Sequence, residues 1–342
     1  MKAVFLIIDY VPHQVLTIRK LIEDHDCDIL AYHVARFITN IPVLDNFATT
    51  HYKNQKKEEI LANIISYNPD IIVVAGWMIP EYVWIAKKLM KILKVPIVSY
   101  SDTQWYGTIR QRINALISPF HVKKAFTHIW AAGLYQFEYA RKLGYSKGNI
   151  ILNSLTADVD LFNKINLEVK LENYPKNFIY IGNFSLGKGL DVLIKAWDAI
   201  SDKKDWTLTL IGDGILKDSL RSNKSIIIKD YMNQAELIHE IQNSGCLILP
   251  SLKEQWALVI HEAAVSGLPI VCTDICGAAP HFVINGYNGF KVKANDIIEM
   301  KQALIKMINM NDNELYVFSC KSRELGLYIT PDISINSLLQ LI

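Results

Sequence analysis

The stretch FIYIGNFSLGKGLDVLIKAW, residues 178–197, decides how this chain folds. Two aromatic and two β-branched residues run into a glycine-rich turn, and GLDVLIKAWDAI then carries apolar residues at helical spacing. Strand, turn and helix in that order make up half of a parallel β-α-β unit. On both sides the same alternation recurs. Upstream, AVFLII (3–8), DILAYHV (28–34), DIIVVAG (70–76) and PIVSYSD (96–102) read as strands, separated by the helical runs HQVLTIRKLIEDH, KKEEILANIISYN and PEYVWIAKKLMKIL. Downstream follow WTLTLIGDG (206–214), SIIIKDY (225–231), CLILPS (246–251) and LPIVCTD (268–274), with QAELIHEIQNS as one of the intervening helices. The pattern predicts an α/β protein with two successive doubly wound parallel sheets and right-handed crossovers.

A chain of 342 residues has room for about two cores. The polar, Asn-rich stretch NSLTADVDLFNKINLEVKLENYPKN (153–177) lacks a clear period and sets the boundary between them. The expected domains are residues 1–155 and 156–325, with 326–342 a tail packing back on the first. Ligands of such sheets bind at the carboxyl ends of the strands, so a cleft between the two domains is the expected site.

Composition narrows the classes further. With 51% hydrophobic and 20% charged residues, the chain is neither disordered nor fibrous. It has no run of about 18 uncharged apolar residues that would span a bilayer. MKAVFLIIDYVP is interrupted by Asp9 and lacks a small-residue cleavage site, so it reads as a first strand and not as a signal peptide. Five scattered cysteines, with the pair Cys272 and Cys276 at neither redox nor zinc spacing, point to reduced and mostly buried thiols in a cytoplasmic protein. Through Leu155 there are 18 Lys and Arg against 12 Asp and Glu, a balance of +6, and the remainder carries −4. That asymmetry is too small to suggest nucleic acid and sets only a mild pull toward anionic surfaces.

Two motifs mislead. GNFSLGKG (182–189) matches G-x4-G-K, but Gly189 stands where a P-loop needs a hydroxyl for magnesium. Its glycines, helix start and Lys188 still suit a diphosphate. Asp158-Val159-Asp160 imitates a metal-binding DxD, yet it lies in the linker without further ligands.

A different segment, SLKEQWALVIHEAAVSGLP (251–269), places Glu254 and Glu262 at the ends of an otherwise apolar run. LKEQW reads as the loop leaving a strand, and ALVIHEAAVSG as a helix closed by Gly267 and Pro269. The amides of Trp256, Ala257 and Leu258 at the helix start suit a phosphate or a sugar hydroxyl, and a carboxylate such as Glu262 can accept a vicinal diol.

These blocks resemble the retaining GT-B glycosyltransferases of family 4, the glycosyl transferases group 1. The segment 251–269 looks like their E-x7-E motif, FIYIGNFSLGKGLDVLIKAW their KG block, and TLIGDGILKDSL the block that follows. NSLTADVDLF is similar to their linker signature. The resemblance covers the second half densely and the first half in outline. It implies two Rossmann-like domains facing each other across a cleft. It also implies that Lys188 contacts the donor diphosphate, Glu262 the ribose and Glu254 the transferred sugar. Gly182, Asn183 and the backbone of Gln255, Trp256, Ala257, Leu258 and Val259 would complete the donor site, with Tyr231 near the base. Asp102 and His13 are the acceptor-side candidates, Asp102 also a catalytic one. Asn183 replaces the usual Arg, and His281 stands where a Glu often follows the glycine loop.

The expected function is metal-independent transfer, with retention, of a sugar from a UDP-sugar to a glycan or lipid-linked acceptor of the cell envelope, with no cofactor. A non-transferring sugar-nucleotide 2-epimerase or a non-catalytic GT-B partner subunit is the alternative. In WYGTIRQRINALISPFHVKKAF (105–126), Ile113, Leu116, Ile117 and Phe120 share one helical face flanked by Arg110, Arg112, Lys123 and Lys124. Such a face is ordinarily core. With these cations it also suits an anionic membrane surface, which would make the protein peripheral at the inner leaflet.

Overall fold

In a computed structural model of the protein, residues 1–35 and 46–342 are described. The chain divides into two compact units, Met1–Thr156 with Pro331–Ile342, and Ala157–Thr330. Unit 1 holds β1 (Lys2–Ile7), β2 (Asp28–His33), β3 (Phe47–His51), β4 (Ile71–Val74), β5 (Ile97–Ser101), β6 (His128–Ala131) and β7 (Ile150–Ile151). These pair in parallel in the order β3-β2-β1-β4-β5-β6-β7. Unit 2 holds β8 (Asn177–Ile181), β9 (Thr207–Ile211), β10 (Ile227–Lys229), β11 (Cys246–Leu249), β12 (Ile270–Thr273) and β13 (Gly289–Val292). Their order is β10-β9-β8-β11-β12-β13, again parallel throughout.

Helices between the strands cover both faces of each sheet, so central strands such as β4 and β11 are buried along their whole length. This is why their sequences read as continuous apolar runs. Four strands escape that reading. FATTH in β3 is half-exposed and largely polar, as an edge strand can be. HIWA in β6 and GFKV in β13 break their short apolar runs with His128, Gly289 and Lys291, and II in β7 is only two residues long.

In unit 1 one apolar layer contains Ile18 and Leu21 of the helix Pro12–Glu23 together with Ile335 and Leu338 of the final helix Pro331–Leu339. Lys20 and Asp332 close an ion pair of 2.8 Å between the same two helices. In unit 2 the linker packs against the helices Leu258–Val265 and Asp312–Gly326, and Asp158 caps the short helix Val159–Phe162 by accepting the Leu161 N–H at 3.0 Å. Four cysteines are buried and Cys320 is exposed.

The amphipathic face of 105–126 is not core. The helix Ile109–Ile117 leaves Ile113 52% exposed and Leu116 78%, and Phe120 just beyond it is 80% exposed. None of the described helices is long and apolar enough to cross a membrane.

In each sheet the strand order reverses once, between β1 and β4 and between β8 and β11. Such a switch opens a crevice at the strand ends where the loops diverge. The loops after β8 and β11 carry the glycine turn and the first glutamate.

Candidate functional site

Backbone groups draw those two loops together. Leu252 and Lys253 donate their amides to the Gly187 carbonyl at 2.9 and 3.1 Å. Gly189 has φ +63°, and a Cβ there would meet the Pro250 carbonyl oxygen at 2.2 Å, so only glycine allows the approach. The approach sets Lys188 Nζ 2.5 Å from Glu254 Oε2, and Ser251 Oγ donates to the same oxygen at 3.2 Å. The adjoining turns interlock as well, with the Gly182 amide donating to Ile211 at 3.0 Å and the Phe184 amide to Asp213 at 2.7 Å.

Beyond Glu254 the chain enters the helix Leu258–Val265 through Ala257, whose φ of 72° and ψ of 73° are left-handed. That conformation costs an L-residue about 1–2 kcal/mol. It turns the chain abruptly, and no side chain caps the first helical amides. Trp256 is buried, and its carbonyl accepts the Ala278 N–H at 2.8 Å, which anchors the glycine loop GAAPH. His281 of that loop lies against the Trp256 ring, 5.5 Å between centroids.

Glu262 is only 9% exposed. Burial pushes its carboxyl up to about 7, with the Asp158 charge adding to the rise and a hydrogen bond from Gln234 opposing it. Gln234 Nε2 donates to Glu262 Oε1 at 2.9 Å. Since Gln234 opens the helix Gln234–Gln242, this bond also fixes the loop after β10, where Tyr231 stands 76% exposed. Sequence reading missed Gln234, because a glutamine at a helix start carries no signal until its partner is known.

The remaining candidates are placed separately. Asn183 is exposed, and its carbonyl accepts the Tyr180 hydroxyl at 2.9 Å. His13 and Asp102 belong to unit 1. His13 is the second residue of Pro12–Glu23, half-buried, with its imidazole lowered to about 4 by burial. Asp102 is exposed just past β5 and accepts from Thr103 Oγ1 at 3.3 Å. Among the described residues, no group of three or more His, Cys, Asp or Glu is placed to hold a metal ion. In unit 2 the structure therefore offers a lysine, a loop carboxylate and helix-start amides at one strand switch, with a buried carboxylate farther along the same helix.

Residues 163–319 match the family model described as glycosyl transferases group 1. Over these residues the chain carries the sequence pattern of that family. An uncharacterized glycosyltransferase of Haemophilus influenzae is 34% identical over 161 residues, which is 45% of this chain and 44% of that protein. The chain spans about half the length of the curated relatives it matches. Sucrose-phosphate synthase from Thermosynechococcus elongatus superposes with a TM-score of 0.78 at 15% identity, covering 100% of this chain and 98% of its own. Anabaena HepE, solved with UDP, gives 0.77 at 15% identity, covering 99% and 98%. The fold is GT-B in class, two parallel Rossmann-like sheets with interleaved helices. The group 1 match contains Lys188, Gln234, Glu254 and Glu262, whereas His13 and Asp102 lie outside it.

Proposed function

We propose that the chain is a retaining glycosyltransferase that moves a sugar from a UDP-sugar to a glycan or lipid-linked acceptor of the cell envelope. The observation that carries this reading is the meeting of Lys188 and Glu254 at 2.5 Å across the β8–β11 switch, with a buried carboxylate eight residues further on. Lys188 and the helix-start amides would hold the donor diphosphate and stabilise the charge that builds on it as it leaves. Glu254 would orient the sugar, acting through position rather than proton transfer. Glu262 would accept the two ribose hydroxyls.

In the transfer step the acceptor oxygen bonds to the anomeric carbon on the face from which the diphosphate departs. The carbon–oxygen bond to phosphate breaks, and the acceptor proton passes to a diphosphate oxygen, releasing UDP. Attack and departure on one face retain the anomeric configuration. The cationic side chain and amides meet the charge, so no metal or cofactor takes part. His13 and Asp102 are proposed for the acceptor side. The UDP complex of the Anabaena neighbour supports the choice of nucleotide.

Exposure of Ile113, Leu116 and Phe120 beside the exposed cations Arg110, Arg112, Lys123 and Lys124 supports docking on the anionic cytoplasmic leaflet, where a lipid-linked acceptor would be presented. Calorimetric titration with UDP-, GDP- and ADP-sugars tests the donor reading. UDP-sugars should bind most tightly, and failure of all three classes to bind overturns it. Proton NMR of the product then reads the anomeric configuration.

A further inference from the structure

Next to Glu262 on the same helix lies a histidine to which the proposed chemistry gives no task. His261 is fully buried, and Phe282 stacks on it at 4.2 Å with the rings 10° from parallel. The Ala157 amide donates to Nδ1 at 3.0 Å, and Nε2 lies 3.0 Å from the Gly326 carbonyl oxygen. An amide N–H can only donate and a carbonyl can only accept, so the ring is neutral with its proton on Nε2. A histidine satisfied by main chain is ordinary packing until its partners are located. Ala157 is the first residue of unit 2, and Gly326 lies shortly before Thr330, its last. The chain passes between its units twice, and each passage adjoins a backbone group bonded to this one ring.

The helix carrying Glu262 is tied to the same segments elsewhere. Arg323 donates to the carbonyls of Val265 and Ser266 at 3.1 and 3.3 Å, and to that of Ile165 in the linker at 2.6 Å. A Cβ on Gly326 would lie 2.3 Å from the Val265 nitrogen, so the helices Leu258–Val265 and Asp312–Gly326 meet backbone to backbone. No slack is left between them. A ligand that draws on the Glu262 carboxylate loads a helix whose neighbouring side chain holds both crossings.

We infer that His261 is a positioning residue that couples occupation of Glu262 to the two chain crossings, so that a bound nucleotide orders residues 157–162 and 326–330 together. The inference rests on the reading of Glu262 as a nucleotide-binding carboxylate. Amide hydrogen exchange on the full chain tests it, with UDP as the probe and binding followed independently by calorimetry. In the parent protein, saturating UDP should slow exchange in both segments by about fivefold or more.

His261→Asn keeps an acceptor near the Nδ1 position and should retain the response at 157–162 alone. His261→Gln keeps a donor near the Nε2 position and should retain it at 326–330 alone. His261→Phe keeps the stack on Phe282 and should bind UDP without a response in either segment. If the Phe variant does not fold, the Asn and Gln variants carry the test. UDP bound with exchange unchanged in both segments of the parent overturns the coupling and leaves the donor reading standing. So does a full response in any variant that folds. If UDP, GDP and ADP all fail to bind the parent, the donor reading fails and the coupling falls with it.

Discussion

Lys188 Nζ and Glu254 Oε2 stand 2.5 Å apart, an ion pair joining loops that leave two neighbouring strands. The two groups proposed to hold a donor are also partners of each other. A diphosphate must therefore share Lys188 with Glu254, and the lysine arrives already oriented.

Replacing Lys188 by Ala should accordingly weaken UDP binding by roughly 10- to 100-fold, the worth of a charge-assisted hydrogen bond. Uridine, which lacks phosphates, should bind as before. Calorimetry on the two ligands is the check, and equal losses would refute the phosphate role.

Glu254→Gln should behave in the opposite way. The amide frees Lys188 for the diphosphate, so UDP affinity should hold or rise. Turnover should fall by about 100-fold, because the sugar loses its orienting carboxylate. A variant with full turnover on a UDP-sugar would remove Glu254 from the reaction.

Glu262 predicts a pH dependence. Burial raises its carboxyl from 4.5 to about 7, so in the folded protein without ligand it stays protonated to a higher pH than in the unfolded chain. The stabilisation this gives is complete below pH 4.5 and is lost as pH rises through about 7. Accepting two ribose hydroxyls needs the ionised form. Uridine affinity should thus decline as pH falls below about 7, and the dependence should vanish in Glu262→Gln. Urea melts of the parent between pH 4.5 and 7.5, set against that variant, read the stability half of the prediction.

The exposed face of Ile109–Ile117 predicts binding to vesicles containing phosphatidylglycerol at low salt, and release at high salt as the charges are screened. Replacing Arg110, Arg112 and Lys123 together by Ala should abolish cosedimentation while UDP binding persists. Binding by the triple variant equal to that of the parent would exclude an electrostatic dock.

Ala257 offers a backbone test. At φ 72° glycine is free of strain, whereas a β-branched residue is not. Ala257→Val should lose about 2 kcal/mol or more of stability, and Ala257→Gly should change it by less than about 1 kcal/mol. Denaturant midpoints measure both, and a Val variant as stable as the parent would mean that the helix start relaxes.

The sheets were legible in the sequence because parallel strands buried on both faces must be apolar along their length, as IIVV in β4 and CLIL in β11 are. FATTH in β3 was not, since an edge strand has no such obligation. Lys188, Glu254 and Glu262 each stood out by type and setting. Their relations did not, because the Lys188–Glu254 pair depends on β11 returning beside β8 and not on any local pattern. Gln234 and His261 were invisible for the same reason, with partners 28 residues away for the one and 104 and 65 for the other. Ile113, Leu116 and Phe120 show the opposite limit, since periodicity identifies an apolar face without saying what covers it.

The return of Pro331–Leu339 to the layer formed by Ile18 and Leu21 bears on how the protein is made. A ribosome adds roughly 5–20 residues each second, and domains close as units during synthesis. Unit 2 has all of its residues outside the tunnel before Ile335 and Leu338 have emerged. Unit 1, begun first, therefore waits with part of its apolar layer uncovered while its neighbour folds. The two units are thus completed in the reverse of the order in which they are begun, unit 1 closing its apolar layer only once Ile335 and Leu338 have emerged.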